Sequence, residues 1–110
     1  MEHWSLRSLP VESHEPLILS STRGESRTVV LHVPAGEALR DHQVHERAHL
    51  VVIDGEVEIA QGEETISGGP GLLAVFDPAE RHEVRARSDA RLLLVLAPWP
   101  GEGHPGARDA

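Results

Sequence analysis

The chain has 110 residues, which is enough for one domain with a single core, and it contains no cysteine. The lack of cysteine excludes disulfides, thiolate metal sites and a cysteine nucleophile, and it agrees with a reducing cytoplasm. The net charge of -8 argues against nucleic-acid binding, because an acidic surface repels phosphates. No apolar run is long enough to cross a bilayer. The composition therefore predicts a cytoplasmic protein without nucleic-acid or membrane partners.

Residues 1–26 are expected to hold N-terminal edge strands and a loop. Two short apolar segments, residues 4–9 and 17–20, are each long enough for an edge strand. This region precedes a longer stretch with a stronger strand pattern.

That stretch contains eight short runs rich in Val, Leu and Ile, separated by Gly, Pro and Asp, at residues 27–33, 39–44, 49–53, 56–60, 64–67, 72–76, 82–86 and 91–96. No window has the apolar period of an amphipathic helix. Asp54-Gly55 predicts a two-residue hairpin turn, because both residue types tolerate positive backbone angles. The spacing predicts an all-β, single-domain antiparallel barrel over residues 27–97.

Residues 98–110 follow the last predicted strand and are dominated by Pro, Gly and charged residues. Such a composition predicts a loose Pro/Gly-rich C-terminal tail. Trp99 is the candidate anchor for the start of this tail.

A first motif begins at Gly36. The order Gly, five residues, His-x-His, three residues, Glu, six residues, Gly is the first motif of small cupin barrels, and Gly36, His42 and Gly55 resemble it without a gap. Val44 stands where the second His belongs, and Ala48 stands where the Glu belongs. Two of the four metal-ligand positions are therefore changed.

A second motif begins at Gly71. The cupin pattern is Gly, five residues, Pro-x-Gly, two residues, His, three residues, Asn, and Gly71 and His82 resemble it. Asp77, Ala79 and Ala86 stand in the places of the Pro, Gly and Asn. The resemblance covers residues 28–97 and implies a double-stranded β-helix of the jelly-roll kind.

The resemblance implies that His42 and His82 converge inside the barrel. Imidazole nitrogen is a good ligand for Fe, Mn, Ni or Zn, but catalytic metals typically have three or more protein ligands. The two histidines therefore have two interpretations. Either they help to hold a divalent transition metal, or no metal binds and they line an apolar pocket as hydrogen-bonding groups.

His45 is the candidate third ligand. Strand alternation places the even-numbered residues on the inner face, so that His45 and His49 point outward. A bulge after His42 would turn His45 inward, and the metal ligands would then be His42, His45 and His82. Glu46 completes that site in this alternative, and otherwise lies at a solvent-exposed hairpin tip.

Two functions follow from these patterns. In the first, the barrel binds a small-molecule ligand, with His42 and His82 orienting a polar group and an apolar lining formed by Leu50, Val52, Val57, Leu72, Ala74, Phe76 and Val84. In the second, a metal-dependent oxygenase or isomerase acts on a small organic substrate. A third alternative is a barrel filled by its own side chains that acts through its surface. The sequence leaves open whether the protein is an enzyme.

The resemblance also predicts a homodimer. Small cupins often pair through an N-terminal strand, and the apolar residues Trp4, Leu6 and Leu9 suit such an interface. The alternative is that these side chains only cap the open end of the barrel.

Overall fold

The computed structural model describes the backbone of residues 1–43 and 45–104, and the side chains of these residues except those of residues 40–43. Strands follow one another in the order β1 (Leu17–Thr22), β2 (Ser26–Val33), β3 (Ala38–Gln43), β4 (Arg47–Asp54), β5 (Val57–Gln61), β6 (Glu64–Gly68), β7 (Leu73–Phe76), β8 (Arg81–Ala86) and β9 (Ala90–Ala97). The eight runs predicted from the sequence correspond to β2 through β9. Within the described residues there is no helix that could span a membrane.

The strands form two antiparallel sheets. One has the order β1-β2-β9-β4-β7 and the other the order β3-β8-β5-β6. Apolar side chains from both sheets pack into one core between them. The predicted all-β barrel of the double-stranded β-helix type is confirmed.

Alternation along the strands explains which residues form this core. Ala48, Leu50 and Val52 of β4 are each 1% exposed, and so are Val84 and Ala86 of β8. In each case the residues between them face the other side of the sheet, because successive side chains in a strand point in opposite directions. The even-numbered residues of β4 and β8 thus face the interior, as the sequence predicts.

The hairpin predicted at Asp54-Gly55 is wrong. Gly55 has a positive φ of 86°, as expected, but β4 pairs with β7 and β9, whereas β5 pairs with β6 and β8. The turn therefore carries the chain from one sheet to the other. Its next residue, Glu56, donates its backbone N–H to the Ser88 hydroxyl over 2.9 Å. A side chain at position 55 would lie 2.2 Å from the carbonyl oxygen of Asp89, so only glycine fits.

The N-terminal region contributes one strand, at Leu17–Thr22, which pairs with β2. The edge strand expected at residues 4–9 does not form; residues 6–8 form a turn instead. Side chains rather than a strand ladder hold this turn: Arg7 pairs with Asp54 at 2.7 Å, and Arg91 donates to the Leu6 carbonyl at 2.7 Å. The hydrogen bond and the charge of Asp54 raise the pKa of Arg7 above its ordinary value.

The residues after β9 turn back onto the barrel, and we call residues 98–104 the C-terminal segment. The backbone of Trp99 makes two hydrogen bonds to the loop before β2. The Trp99 carbonyl accepts from the Gly24 N–H at 2.6 Å, and the Trp99 N–H donates to the Glu25 carbonyl at 3.3 Å. Its side chain packs against the core. Residues 105–110, the remainder of the predicted tail, lie outside the described residues.

Candidate functional site

A cavity of about 420 Å³ lies between the two sheets. Its floor is formed by buried side chains, among them Leu50, His82 and Val84. Its mouth is marked by lining residues that reach solvent, such as Ile18, which is 48% exposed. The volume falls within the range of roughly 300–1,000 Å³ that is typical of pockets for small organic ligands.

Aliphatic side chains form most of the lining. Val29 and Leu31 come from β2, and Leu94 and Leu96 come from β9. The two strands are neighbours, and alternate residues of each face the cavity. Because these side chains offer no hydrogen-bonding group, hydrogen bonds within the cavity can come only from the polar residues of its lining.

His82 is the polar residue at the floor. It is 6% exposed, and its ring stacks on that of Phe76, with centroids 3.7 Å apart and planes 6° apart. Its Nδ1 lies 3.3 Å from the Glu80 carbonyl oxygen, to which it donates when that nitrogen carries the proton. Phe76 belongs to β7 and His82 to β8, so the stack joins the two sheets and fixes the plane of the imidazole.

Arg27 and Trp99 also line the cavity, and both are partly exposed, which places them at its mouth. The Arg27 guanidinium carbon lies 4.0 Å from the centroid of the Trp99 ring, within the range of a cation–π interaction. Its Nε donates to the Ser21 hydroxyl at 3.0 Å. The guanidinium is therefore held in place from one face and one edge.

Of the apolar residues proposed from the sequence as pocket lining, Leu50 and Val84 line this cavity. Val52 and Val57 lie in the core, 1% and 0% exposed, and do not reach it.

The other three proposed residues lie elsewhere. Leu72 and Ala74 pack against the core from its edge. Ala74 and Phe76 also line a smaller cavity of about 160 Å³ between β7 and the strands β5 and β6. The structure thus divides the proposed lining between the large cavity, the core and this second cavity.

His42 lies opposite His82 in the β3–β8 ladder, so the two motif histidines are brought to neighbouring backbone positions. The His42 side chain and all of Val44 lie outside the described residues. The ladder has a register shift between Leu39 and His42. This irregularity comes before His42, whereas the alternative with His45 as a ligand requires a bulge after it.

His45 and Glu46 contact the C-terminal segment. The His45 ring lies edge-on to that of His104, with centroids 5.6 Å apart. Glu46 is 1% exposed, and its Oε2 accepts a hydrogen bond of 2.6 Å from the Gly101 N–H. The expectation of a solvent-exposed Glu46 at a hairpin tip is wrong, because residues 55 positions later cover it. Gly101 fits there only without a side chain, since a Cβ would lie 2.3 Å from the His45 carbonyl oxygen.

Among the side chains that the structure describes, no three His, Asp or Glu residues come together in a way that could hold a metal ion. His45 is turned to the C-terminal segment, the Glu46 carboxylate binds an amide there, and Ala48 has no donor atom. These described residues do not fit a metal centre. The ligand set His42, His45 and His82 stays a prediction, because it depends on the His42 side chain.

Sequence reasoning missed Arg27 and Trp99. The sequence does contain a signal for Arg27. Like Val29, Leu31 and Val33 it has an odd number in β2, so strand alternation places this charged side chain on the inner face of an apolar strand. Trp99 has no comparable periodic signal. Its position depends on backbone hydrogen bonds to Gly24 and Glu25, which lie far earlier in the chain.

A family model described as Cupin domain matches residues 29–97. No curated protein matches the chain. Among solved structures, the protein TT1209 from Thermus thermophilus is 26% identical, with 89% of this chain and 98% of that chain covered and a TM-score of 0.76.

Two further solved structures share the architecture. An uncharacterized conserved protein with a double-stranded β-helix domain from Klebsiella pneumoniae is 24% identical, with 93% of this chain and 92% of that chain covered and a TM-score of 0.73. An RmlC-like cupin protein from Desulfovibrio desulfuricans is 23% identical, with 89% and 96% covered and a TM-score of 0.75. At these identities, the likeness shows the fold.

Proposed function

The chain belongs to the cupin family, and we propose that it binds a small organic molecule in the cavity between its two sheets. The observation that supports this function best is the cavity of about 420 Å³, which combines an apolar lining with a histidine at its floor. Sites for small molecules typically have this composition: mostly apolar walls with a few fixed polar groups.

The apolar lining favours a ligand with a hydrocarbon body. Each square ångström of apolar ligand surface removed from water stabilises the complex by roughly 25 cal/mol before the costs of association are subtracted. Val29, Leu31, Leu94 and Leu96 offer such a surface on one side of the cavity. Purely polar molecules gain little from these walls.

His82 supplies selectivity at the floor. Its ring is held by the Phe76 stack, so a ligand group must come to the imidazole rather than the reverse. An imidazole can donate or accept a hydrogen bond, depending on which of its nitrogens carries the proton. We therefore expect the preferred ligand to carry a hydrogen-bonding group at its inner end.

A substitution that fills the cavity tests this function. Leu94 lines the cavity, whereas Leu93 lies on the opposite face of the same strand. The Leu94→Trp variant should lose at least about tenfold in affinity for small organic molecules that bind the parent protein, because the larger ring occupies the space. The Leu93→Trp variant is the matched control and should keep the parent affinity. Ligand-observed nuclear magnetic resonance against a library of small organic molecules finds the ligands, and calorimetric titration measures the affinities.

Two results would contradict this function. One is a parent protein to which no member of the library binds. The other is equal binding to the parent and to Leu94→Trp, which would place the ligand outside the cavity. A bound metal is a separate question, and elemental analysis of protein purified without an affinity tag tests whether His42, His45 and His82 hold one.

A further inference from the structure

The mouth of the cavity carries a positive charge that an apolar ligand does not explain. Arg27 is half-buried there, on the inner face of β2, in line with Val29 and Leu31. Placing a guanidinium beside an apolar cavity is costly unless a partner compensates the charge. The partners of Arg27 therefore indicate what is bound beside it.

Within the part of the chain that the structure describes, no carboxylate forms an ion pair with Arg27. Other arginines do pair with carboxylates, among them Arg7 with Asp54, Arg47 with Asp77, Arg85 with Glu83 and Arg87 with Glu58. The chain has 18 acidic residues against 10 basic ones, so carboxylates are plentiful. Arg27 differs from these four arginines, because its partners are the Ser21 hydroxyl and the Trp99 indole ring.

The contacts of Arg27 fix the orientation of its guanidinium but do not include a carboxylate that would neutralise its charge. Its Nε donates to Ser21, and one face of the guanidinium lies on Trp99. Among the described residues, neither terminal nitrogen has an acceptor. The planar fork of a guanidinium matches the two oxygens of a carboxylate, and such charge-assisted pairs are about twice as strong as neutral hydrogen bonds.

We propose that the ligand is an organic acid whose carboxylate binds Arg27 at the mouth and whose hydrocarbon body fills the cavity. This inference rests on the proposed function, since it needs the cavity to be a binding site. The two contacts are complementary: the lining takes the apolar body, and the guanidinium takes the charge. The indole of Trp99 holds the guanidinium in place and shields one face from water, which strengthens the pair.

Octanoate and its neutral counterpart octanamide are suitable probes, because they share the same hydrocarbon chain and differ in charge. The parent protein should bind octanoate at least about tenfold more tightly than octanamide. In the Arg27→Gln variant this preference should disappear, while the affinity for octanamide should stay close to that of the parent. The control variant Arg87→Gln removes the same charge from the exposed pair with Glu58 and should keep the preference. Calorimetric titration measures all the affinities.

The outcomes separate this inference from the function on which it rests. Equal affinity of the parent for both probes, or a preference that persists in Arg27→Gln, would overturn the carboxylate assignment and leave the cavity as a binding site. A parent that binds neither probe but does bind other library members would overturn the organic-acid assignment alone, whereas a parent that binds no small organic molecule would contradict both. If Arg27→Gln does not fold, the parent alone decides: added salt should weaken octanoate binding but not octanamide binding, and equal salt dependence would overturn the assignment.

Discussion

The Glu46 carboxylate is a buried acceptor that ties the C-terminal segment to the barrel. Its Oε2 accepts the Gly101 N–H, and the backbone of Gly101 approaches that of His45 so closely that no side chain fits between them. Buried amides need a partner, because an unpaired donor has lost its hydrogen bonds to water without replacement. The Glu46 side chain thus helps to hold the C-terminal segment, which includes Trp99, against the barrel.

Replacing Glu46 tests this role. In Glu46→Ala the Gly101 N–H loses its acceptor, and the free energy of unfolding should fall by about 1–3 kcal/mol. Glu46→Gln is the matched control, because its amide oxygen can still accept the bond, and it should lose less. Urea denaturation measures both. Equal losses in the two variants would show that the carboxylate charge, and not the hydrogen bond to Gly101, is what stabilises the segment.

At the scale of elements, the stack of Phe76 on His82 joins a strand of one sheet to a strand of the other. Phe76 is 3% exposed, and its neighbour Val75 on the same strand is 47% exposed. The Phe76→Ala variant should therefore lose about 3–5 kcal/mol of unfolding free energy, because it leaves a cavity and removes the ring contact. Thr65→Ala, at an exposed position of β6, is the control and should change it by about 0.5 kcal/mol or less. Thermal denaturation of the two variants checks this, and similar losses would mean that the stack does not hold the sheets together.

The strands were predictable because their pattern is local. Alternation of apolar and polar residues identifies β4 and β8 from the sequence alone. The Asp54-Gly55 turn shows the limit of such reasoning. Its backbone angles follow from residue type, but whether the next strand stays in the same sheet depends on Ser88 and Asp89, which come much later in the chain.

The cavity was predictable only in part for the same reason. Leu50 and Val84 are predictable from strand alternation. Arg27, by contrast, contacts Trp99 at the mouth of the cavity, and the position of Trp99 depends on its backbone hydrogen bonds to Gly24 and Glu25. Burial of Glu46 likewise depends on Gly101. Contacts between distant parts of the chain leave no period in the sequence, and so these residues emerge only from the structure.

At the scale of the whole molecule, a homodimer stays a prediction, and the exposed apolar residues suggest where to test it. Leu73 and Val75 are 55% and 47% exposed on β7, which is an edge strand of the larger sheet. An edge strand has unpaired backbone groups that a second copy can bind. Of the interface residues expected from the sequence, Leu6 and Leu9 are half-buried, whereas Trp4 is 39% exposed.

Charges on this edge should separate the copies. The double variant Leu73→Glu with Val75→Glu should shift the mass in solution from dimer toward monomer, because like charges would then face one another. Ser67→Glu, at an exposed position of β6 in the other sheet, is the control and should leave the mass unchanged. Sedimentation equilibrium measures the masses. A parent that is monomeric at high concentration would contradict the dimer, and an unchanged mass in the double variant would place the interface elsewhere.

The position of β9 has a consequence for how the chain folds. The strand is the last in sequence but lies between β2 and β4, and Val30 pairs with Leu93 across it. Contacts between residues so far apart in sequence form late in folding, because the entropy cost of closing the intervening loop must be overcome first. Proteins dominated by such contacts fold slowly. Until β9 inserts, β2 and β4 each present an open edge. We therefore expect the larger sheet to assemble late and cooperatively, and chains that have not yet done so to be the ones exposed to aggregation.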